Sequence, residues 1–189
     1  MKNHNNYPVI SIDEIVRPTR VEVDLKILAE NFNKVRKHVG CKIMPILKAN
    51  AYGHGLVRVA QLYEELKADY LGVAVVEEGI LLREMGIKMP ILVLGGVWGN
   101  QIPLFLKYNL AITASSIDKL KQIEDTSAQM KIKAKVHLKV DTGMERLGVH
   151  YYNSEKFLEA AHSCKNIVVE GIYSHFATAE SDDLTFAKL

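Results

Sequence analysis

The chain has 189 residues, about the length of one domain, and its 48% hydrophobic content is enough to bury a sizeable core. Its 24 basic and 22 acidic residues give a net charge of +2, which suggests neither a nucleic-acid partner nor a membrane partner. Two cysteines, Cys41 and Cys164, are too few for a disulfide framework, and the polar N-terminus has no signal-peptide core, so we expect a soluble, cytoplasmic protein.

Residues 1–40 are predicted to contain a leader, a short strand and a helix. Residues 1–18 are expected to form a flexible leader before a barrel domain over residues 19–189. Residues 20–24 alternate between polar and apolar side chains, which predicts a short strand. Asp24 is a candidate N-cap for a helix that Gly40 ends.

From Lys42 onward, short apolar segments alternate with amphipathic ones. The predicted strands are residues 43–47, 70–73, 91–94, 110–113, 134–140 and 167–173. The predicted helices are residues 56–67, 76–85, 101–107, 116–124 and 154–162. Apolar strands that alternate with helices favour an α/β fold with a parallel sheet. A closed (β/α)8 barrel of the TIM type needs eight units, so we expect an incomplete barrel of about six βα units and therefore a fragment.

Residues suited to chemistry fall near the ends of these strands, where βα barrels place their active sites. Lys48 and Tyr52 follow the first strand, Lys139 and Arg146 lie at and after the end of the fifth, and His175 follows the sixth. Together they predict a cationic site for a small molecule that bears phosphate or carboxylate. The sequence has no phosphate-binding glycine loop, no dinucleotide fingerprint and no cluster with metal-ligand spacing, so no metal is expected.

Three segments carry a resemblance to the alanine racemases, enzymes of fold type III that bind pyridoxal 5′-phosphate (PLP). Residues 48–55 (KANAYGHG) resemble the lysine motif of that family. Residues 139–148 (KVDTGMERLG) are similar to its second signature, and residues 170–180 (EGIYSHFATAE) resemble a third. The resemblance runs from about residue 20 to residue 183. It covers nearly the whole chain but only about the first half of a family member.

The resemblance implies a role for each candidate residue. Lys48 would hold PLP as an internal aldimine and then act as the base on the D-face of the amino-acid substrate. Tyr52 would contact the cofactor phosphate, and His175 would lie beside the pyridine ring. Arg146 would face the cofactor phenolic oxygen and the substrate carboxylate. Lys139 would be the lysine that is carbamylated in many members and orients the arginine.

For the protein as a whole, the resemblance implies an isomerase, a homodimer at full length, that interconverts L- and D-alanine for peptidoglycan. Racemisation needs a base on each face of the substrate. In this family the second base and a C-terminal β-domain lie in the half beyond residue 189, so the chain alone is expected to be inactive. Three alternatives stay open: a serine-type racemase on the same barrel, a non-catalytic PLP-binding homeostasis protein, and an inert fragment.

Overall fold

The structure, a computed structural model, describes residues 19–188, so the predicted leader over residues 1–18 lies outside the described residues. The helices are α1 (Leu25–Val39), α2 (Lys48–Tyr52), α3 (Leu56–Glu65), α4 (Val76–Glu84), α5 (Ile102–Lys107), α6 (Ile117–Met130) and α7 (Ser154–Ser163). The strands are β1 (Leu71–Val73), β2 (Ile91–Val93), β3 (Ala111–Ala114), β4 (Ala134–Asp141), β5 (Val149–His150) and β6 (Ile167–Tyr173).

The strands form one parallel sheet in the order β1–β2–β3–β4, with β5 and β6 both paired to β4. Strand β6 pairs along most of β4, whereas β5 pairs only with Val140 and Asp141 at the C-terminal end of β4. Parallel strands with helices between most of them confirm the predicted α/β fold, an incomplete TIM-type barrel of about six units.

The core lies between the sheet and the helices. Every residue of β1, β2 and β3 is buried. Large side chains of the helices are 0–1% exposed and fill the same core, among them Leu82, Phe105, Leu120, Ile123 and Phe157. Within residues 19–188, strand β6 pairs with β4 alone, and its Val168, Val169 and Ile172 are 42–56% exposed. No helix within residues 19–188 is long and apolar enough to cross a bilayer.

The strand predicted over residues 20–24 is wrong. The segment is irregular up to the start of α1, and Val21 is 83% exposed. Alternation predicts a strand only where one face is buried against the core, and here Val21 is exposed and Val23 is only partly buried.

The strand predicted over residues 43–47 shrinks to one β-bridge, between Ile46 and Gly72. Gly72 donates its N–H to Pro45 O (2.9 Å), and its carbonyl accepts the N–H of Leu47 (2.7 Å), so the two bonds flank Ile46. Proline has no N–H to extend such a ladder. The segment nevertheless lies beside β1 as the next member of the sheet, so its end belongs to the same edge as the ends of the other strands.

Helix boundaries follow the predicted caps more closely than the predicted lengths. Asp24 caps α1 by accepting from the N–H groups of the first turn, and Gly40 ends it with φ 62°, as predicted. The helix predicted over residues 116–124 extends to Met130 as α6 and ends at Lys131, which is left-handed (φ 56°). Apolar spacing fades after residue 123 although the polar residues that follow still sustain a helix.

Candidate active site

Lys48 stands at the end of the segment beside β1, directly after Leu47, which is 2% exposed. The side chain of Lys48 is itself half-buried. It opens α2, which is a left-handed turn: Ala49, Asn50 and Ala51 have φ of 52–56° and ψ of 44–53°. Residues with a Cβ disfavour this region by about 1–2 kcal/mol each, so the turn depends on bonds from its surroundings.

Asn50 is the centre of those bonds. Its carbonyl accepts the N–H groups of Gly53 and Gly55, each at 3.1 Å. Its side-chain Oδ1 accepts the N–H of Leu56 at 2.8 Å, at the start of α3. Its own N–H donates to Glu78 Oε1 at 3.2 Å. Asparagine tolerates the left-handed region better than most residues, which suits it to this place.

The rest of the turn leaves one aromatic side chain accessible. Tyr52 is also left-handed (φ 53°), and its side chain is 60% exposed, so its phenol is open to a ligand. Gly53 (φ 87°) ends the turn, and the Nδ1 of His54 lies 2.9 Å from Ala51 O. His54 therefore serves the turn itself.

The second signature is built around the buried carboxylate of Asp141, which is 3% exposed. Its Oδ1 accepts N–H groups from Gly143 (2.8 Å) and Glu145 (3.2 Å), and its Oδ2 accepts the N–H of Arg146 (3.1 Å). Burial alone would raise the pKa of this carboxyl, but the backbone N–H donors outweigh burial and lower it. An ionised Asp141 thus folds the loop around itself and fixes the backbone of Arg146.

Two residues of this loop have a positive φ. Glu145 adopts a left-handed conformation (φ 55°), which residues with a Cβ disfavour, and its carboxylate lies 3.5 Å from His150 Nδ1. Gly148 has φ 119°, and a Cβ there would lie 2.8 Å from Lys139 O and 3.0 Å from Asp141 N. Only glycine allows the loop to return this closely to β4.

Lys139 is buried, with 6% exposure, inside the sheet end. Its Nζ donates to Val140 O at 3.3 Å and lies 5.0 Å from the ring centroid of Tyr173. Burial lowers the pKa of Lys139; the charge of Asp141 opposes this shift and the charge of Arg146 adds to it. The lowered pKa makes the neutral amine of Lys139 easier to form than that of a free lysine.

Tyr173 links β6 to the middle of the sheet. Its hydroxyl lies 2.7 Å from Thr113 Oγ1, which donates to Val93 O at 2.7 Å. Burial raises the pKa of Tyr173, partly offset by the bond with Thr113, so the ring stays a neutral phenol. It stands two residues before His175, which is exposed.

The five predicted residues all follow, or lie near the ends of, segments of one parallel sheet. The charge of Arg146 acts on the pKa of Lys139, and β6, which leads to His175, is paired with β4. Lys48 and Tyr52 follow the segment at the other edge of the strand order, but the sheet curls: Tyr70, directly before β1, donates to Glu170 Oε2 of β6 at 2.7 Å. The roles of all five remain predictions.

Sequence reasoning assigned no role to the three residues that hold the two motifs in shape, Asn50, Glu78 and Asp141. A signal was present for two of them. Asparagine and aspartate shortly before glycine are typical of turns in which the side chain bonds to the backbone. The contact of Glu78 joins positions 28 residues apart, and no local pattern indicates it.

Known proteins share both the sequence pattern and the fold. Residues 23–189 match a family model described as "Alanine racemase, N-terminal domain". Alanine racemase 1 of Caldanaerobacter subterraneus subsp. tengcongensis is 43% identical over 177 residues, which is 92% of this chain and 45% of that protein. An alanine racemase of Citrifermentans bemidjiense is 41% identical over 180 residues, 92% of this chain and 48% of that protein. The chain spans about half the length of the curated relatives it matches.

Solved structures agree. The alanine racemase of Clostridium difficile 630 in complex with cycloserine superposes with a TM-score of 0.86 at 35% identity, over 92% of this chain and 49% of that one. A histidine racemase from Leuconostoc mesenteroides subsp. sake superposes with a TM-score of 0.81 at 26% identity, over 87% of this chain and 45% of that one. One fold therefore accommodates racemases named for different amino acids.

Proposed function

Because the chain belongs to the family of the alanine racemase N-terminal domain, we propose that it serves the PLP-dependent interconversion of L- and D-alanine. The observation that carries the proposal is the setting of Lys48. A half-buried primary amine stands at the end of a sheet segment, on a turn held by several hydrogen bonds. A lysine in such a place suits covalent bonding to a carbonyl cofactor.

The residues of the two motifs fit a cofactor with a phosphate and a substrate with a carboxylate. Lys48, Tyr52 and Arg146 offer an amine, a phenol and a guanidinium, and Tyr52 and Arg146 are exposed. The negative charge of Asp141 is already taken up by backbone N–H donors. The Arg146 guanidinium therefore has its forked donors available for an anion.

PLP, when bound, supplies the electron sink that makes the Cα proton of an amino acid acidic. Lys48 would hold it through Nζ and, once the substrate amine takes that place, would remove or return the Cα proton on the D-face. Arg146 would bind the substrate carboxylate in a two-point contact. Tyr52 would donate to the phosphate, and His175 would lie beside the ring.

Hydrogen exchange at Cα tests this function. In deuterated buffer with PLP, the chain is expected to incorporate deuterium at Cα of D-alanine, because Lys48 needs no second base for exchange on its own face. D-serine and D-histidine as competing substrates identify the side chain that the site prefers. Cofactor attachment without exchange of any of them would favour the non-catalytic PLP-binding protein.

Lys139 is proposed to be carbamylated. Its neutral amine, favoured by the lowered pKa, would attack carbon dioxide and lose a proton, which leaves an anionic carbamate. The carbamate would attract Arg146, which an ammonium repels. With isotopically labelled bicarbonate we expect a carbamate carbon signal by NMR that Lys139→Gln removes and that Lys121→Gln, on the exposed side of α6, leaves in place. High-resolution density for a bare lysine under bicarbonate would contradict it.

Four finer expectations belong to the proposal: two come from the cysteine content and the N-terminal sequence, and two from the resemblance. They are a cytoplasmic location, supply of D-alanine to peptidoglycan, a homodimer at full length, and a leader over residues 1–18. Rescue of a D-alanine auxotroph by the full-length form tests the supply of D-alanine. The mass of that form in solution tests the homodimer.

A further inference from the structure

We propose that Glu78 is a positioning residue for Lys48: its carboxylate fastens the left-handed turn that begins at Lys48 to the end of β1. The inference rests on the proposed function only for its catalytic consequence. The fastening itself can be measured without any cofactor.

The two oxygens of Glu78 serve two different segments. Oε1 accepts the N–H of Asn50, 28 residues earlier, at 3.2 Å. Oε2 accepts the N–H of Ala74, directly after β1, at 2.8 Å. A carboxylate that accepts from two backbone donors on separate segments acts as a bridge, and hydrogen bonds to an ionised acceptor are stronger than neutral ones.

The carboxylate of Glu78 sits at the N-terminal end of a helix. It lies in the first turn of α4, where the helix dipole favours a negative charge. Its side chain is partly shielded from solvent, so the bonds compete less with water than those of an exposed residue.

Asn50 is the point at which this bridge controls Lys48. The next N–H of the turn, that of Ala51, donates to Leu47 O at 2.7 Å, within the turn itself. The N–H of Asn50 depends instead on Glu78. Without this acceptor, the left-handed conformation two residues after Lys48 loses an external support. The backbone of the turn then samples other conformations, and the amine of Lys48 spreads over several positions.

The adjacent Glu77 provides a matched control. It occupies the same first turn of α4 and carries the same charge, but it is exposed. Glu78→Gln and Glu77→Gln therefore remove equal charge from the same helix end, and any difference between them reports the bridge. In Glu78→Gln one carboxylate oxygen becomes an NH2 group, which must face one of the two N–H donors.

The experiment compares the wild-type chain, Glu78→Gln and Glu77→Gln, with thermal unfolding measured first. Amide hydrogen exchange should show about a tenfold loss of protection at Asn50 in Glu78→Gln, as expected for one hydrogen bond, and none in Glu77→Gln. With PLP and borohydride, the rate of label capture at Lys48 should fall by about the same factor. The rate at which acetic anhydride acylates Lys48, measured relative to that of Lys121, should differ from the wild-type value in Glu78→Gln and equal it in Glu77→Gln.

Each outcome decides something. Unchanged Asn50 protection and unchanged Lys48 reactivity in a folded Glu78→Gln would overturn the proposal. Equal effects in Glu77→Gln would show that the charge at the helix end, and not the bridge, causes the changes, which also overturns the proposal. If the wild-type chain captures no PLP, the proposed function fails, while exchange and acylation still decide the role of Glu78. If Glu78→Gln does not fold, Glu78→Asp, which keeps the charge on a shorter side chain, takes its place with the same readouts.

Discussion

Replacing Lys48 with arginine is expected to abolish covalent capture of PLP by the chain. Arginine keeps the positive charge and nearly the length of lysine, but its delocalised guanidinium stays protonated and does not act as a nucleophilic amine. Incubation with PLP followed by borohydride should leave a pyridoxyl label on Lys48 of the wild-type chain, and Lys48→Arg should fall to background. Peptide mapping by mass spectrometry is the measurement.

Lys42→Arg is the control, since Lys42 is exposed and lies only six residues earlier. It should label as the wild type does. Lys139 is the competing site to be checked for label, because its lowered pKa favours a reactive neutral amine. Lys139 is only 6% exposed, against the half-buried Lys48, so a bulky aldehyde should not reach it. Capture at Lys139, or retained capture in Lys48→Arg, would contradict the assignment.

The sequence predicted the regular elements well wherever burial was strong. Strands β1 to β4 lie within about a residue of their predicted bounds. Strands β1 to β3 are apolar runs buried on both faces, and β4 mostly alternates between buried and partly buried residues. Residues 20–24 show the opposite case: they alternate but form no strand, and Val21 is 83% exposed. A pattern gives the tendency of a segment, but a strand also needs a partner.

The backbone conformation of the candidate site was harder to predict from the sequence. Residues 48–52 contain two alanines and a lysine, which favour a right-handed helix in isolation. Their left-handed turn depends on Glu78, which lies far along the chain. The lowered pKa of Lys139 likewise comes from its burial and from Arg146, seven residues on. The motifs identify the residue types of the site. The contacts that give these residues their chemistry join distant parts of the chain, so no local pattern predicts them.

The second large effect is expected from Asp141→Asn. The amide oxygen can replace Oδ1 for Gly143 and Glu145, but the NH2 group then faces the N–H of Arg146, donor against donor. The charge-assisted bonds are lost at a site that is 3% exposed. We expect the free energy of unfolding to fall by roughly 2–3 kcal/mol, measured by urea denaturation at neutral pH. Asp125→Asn, on the exposed face of α6, should change it little.

The pH dependence of that loss identifies the carboxylate as its cause. The pKa of Asp141 is lowered in the folded chain, so the unfolded chain binds its proton first as the pH falls. The stabilisation is therefore fully present above the usual aspartate pKa and disappears as the pH drops through the lower folded value. The gap in unfolding free energy between the wild type and Asp141→Asn should stay constant near neutrality and narrow in acid. A gap that is equally wide in acid would assign the loss to packing, and the charge of Asp141 would then not be what places Arg146.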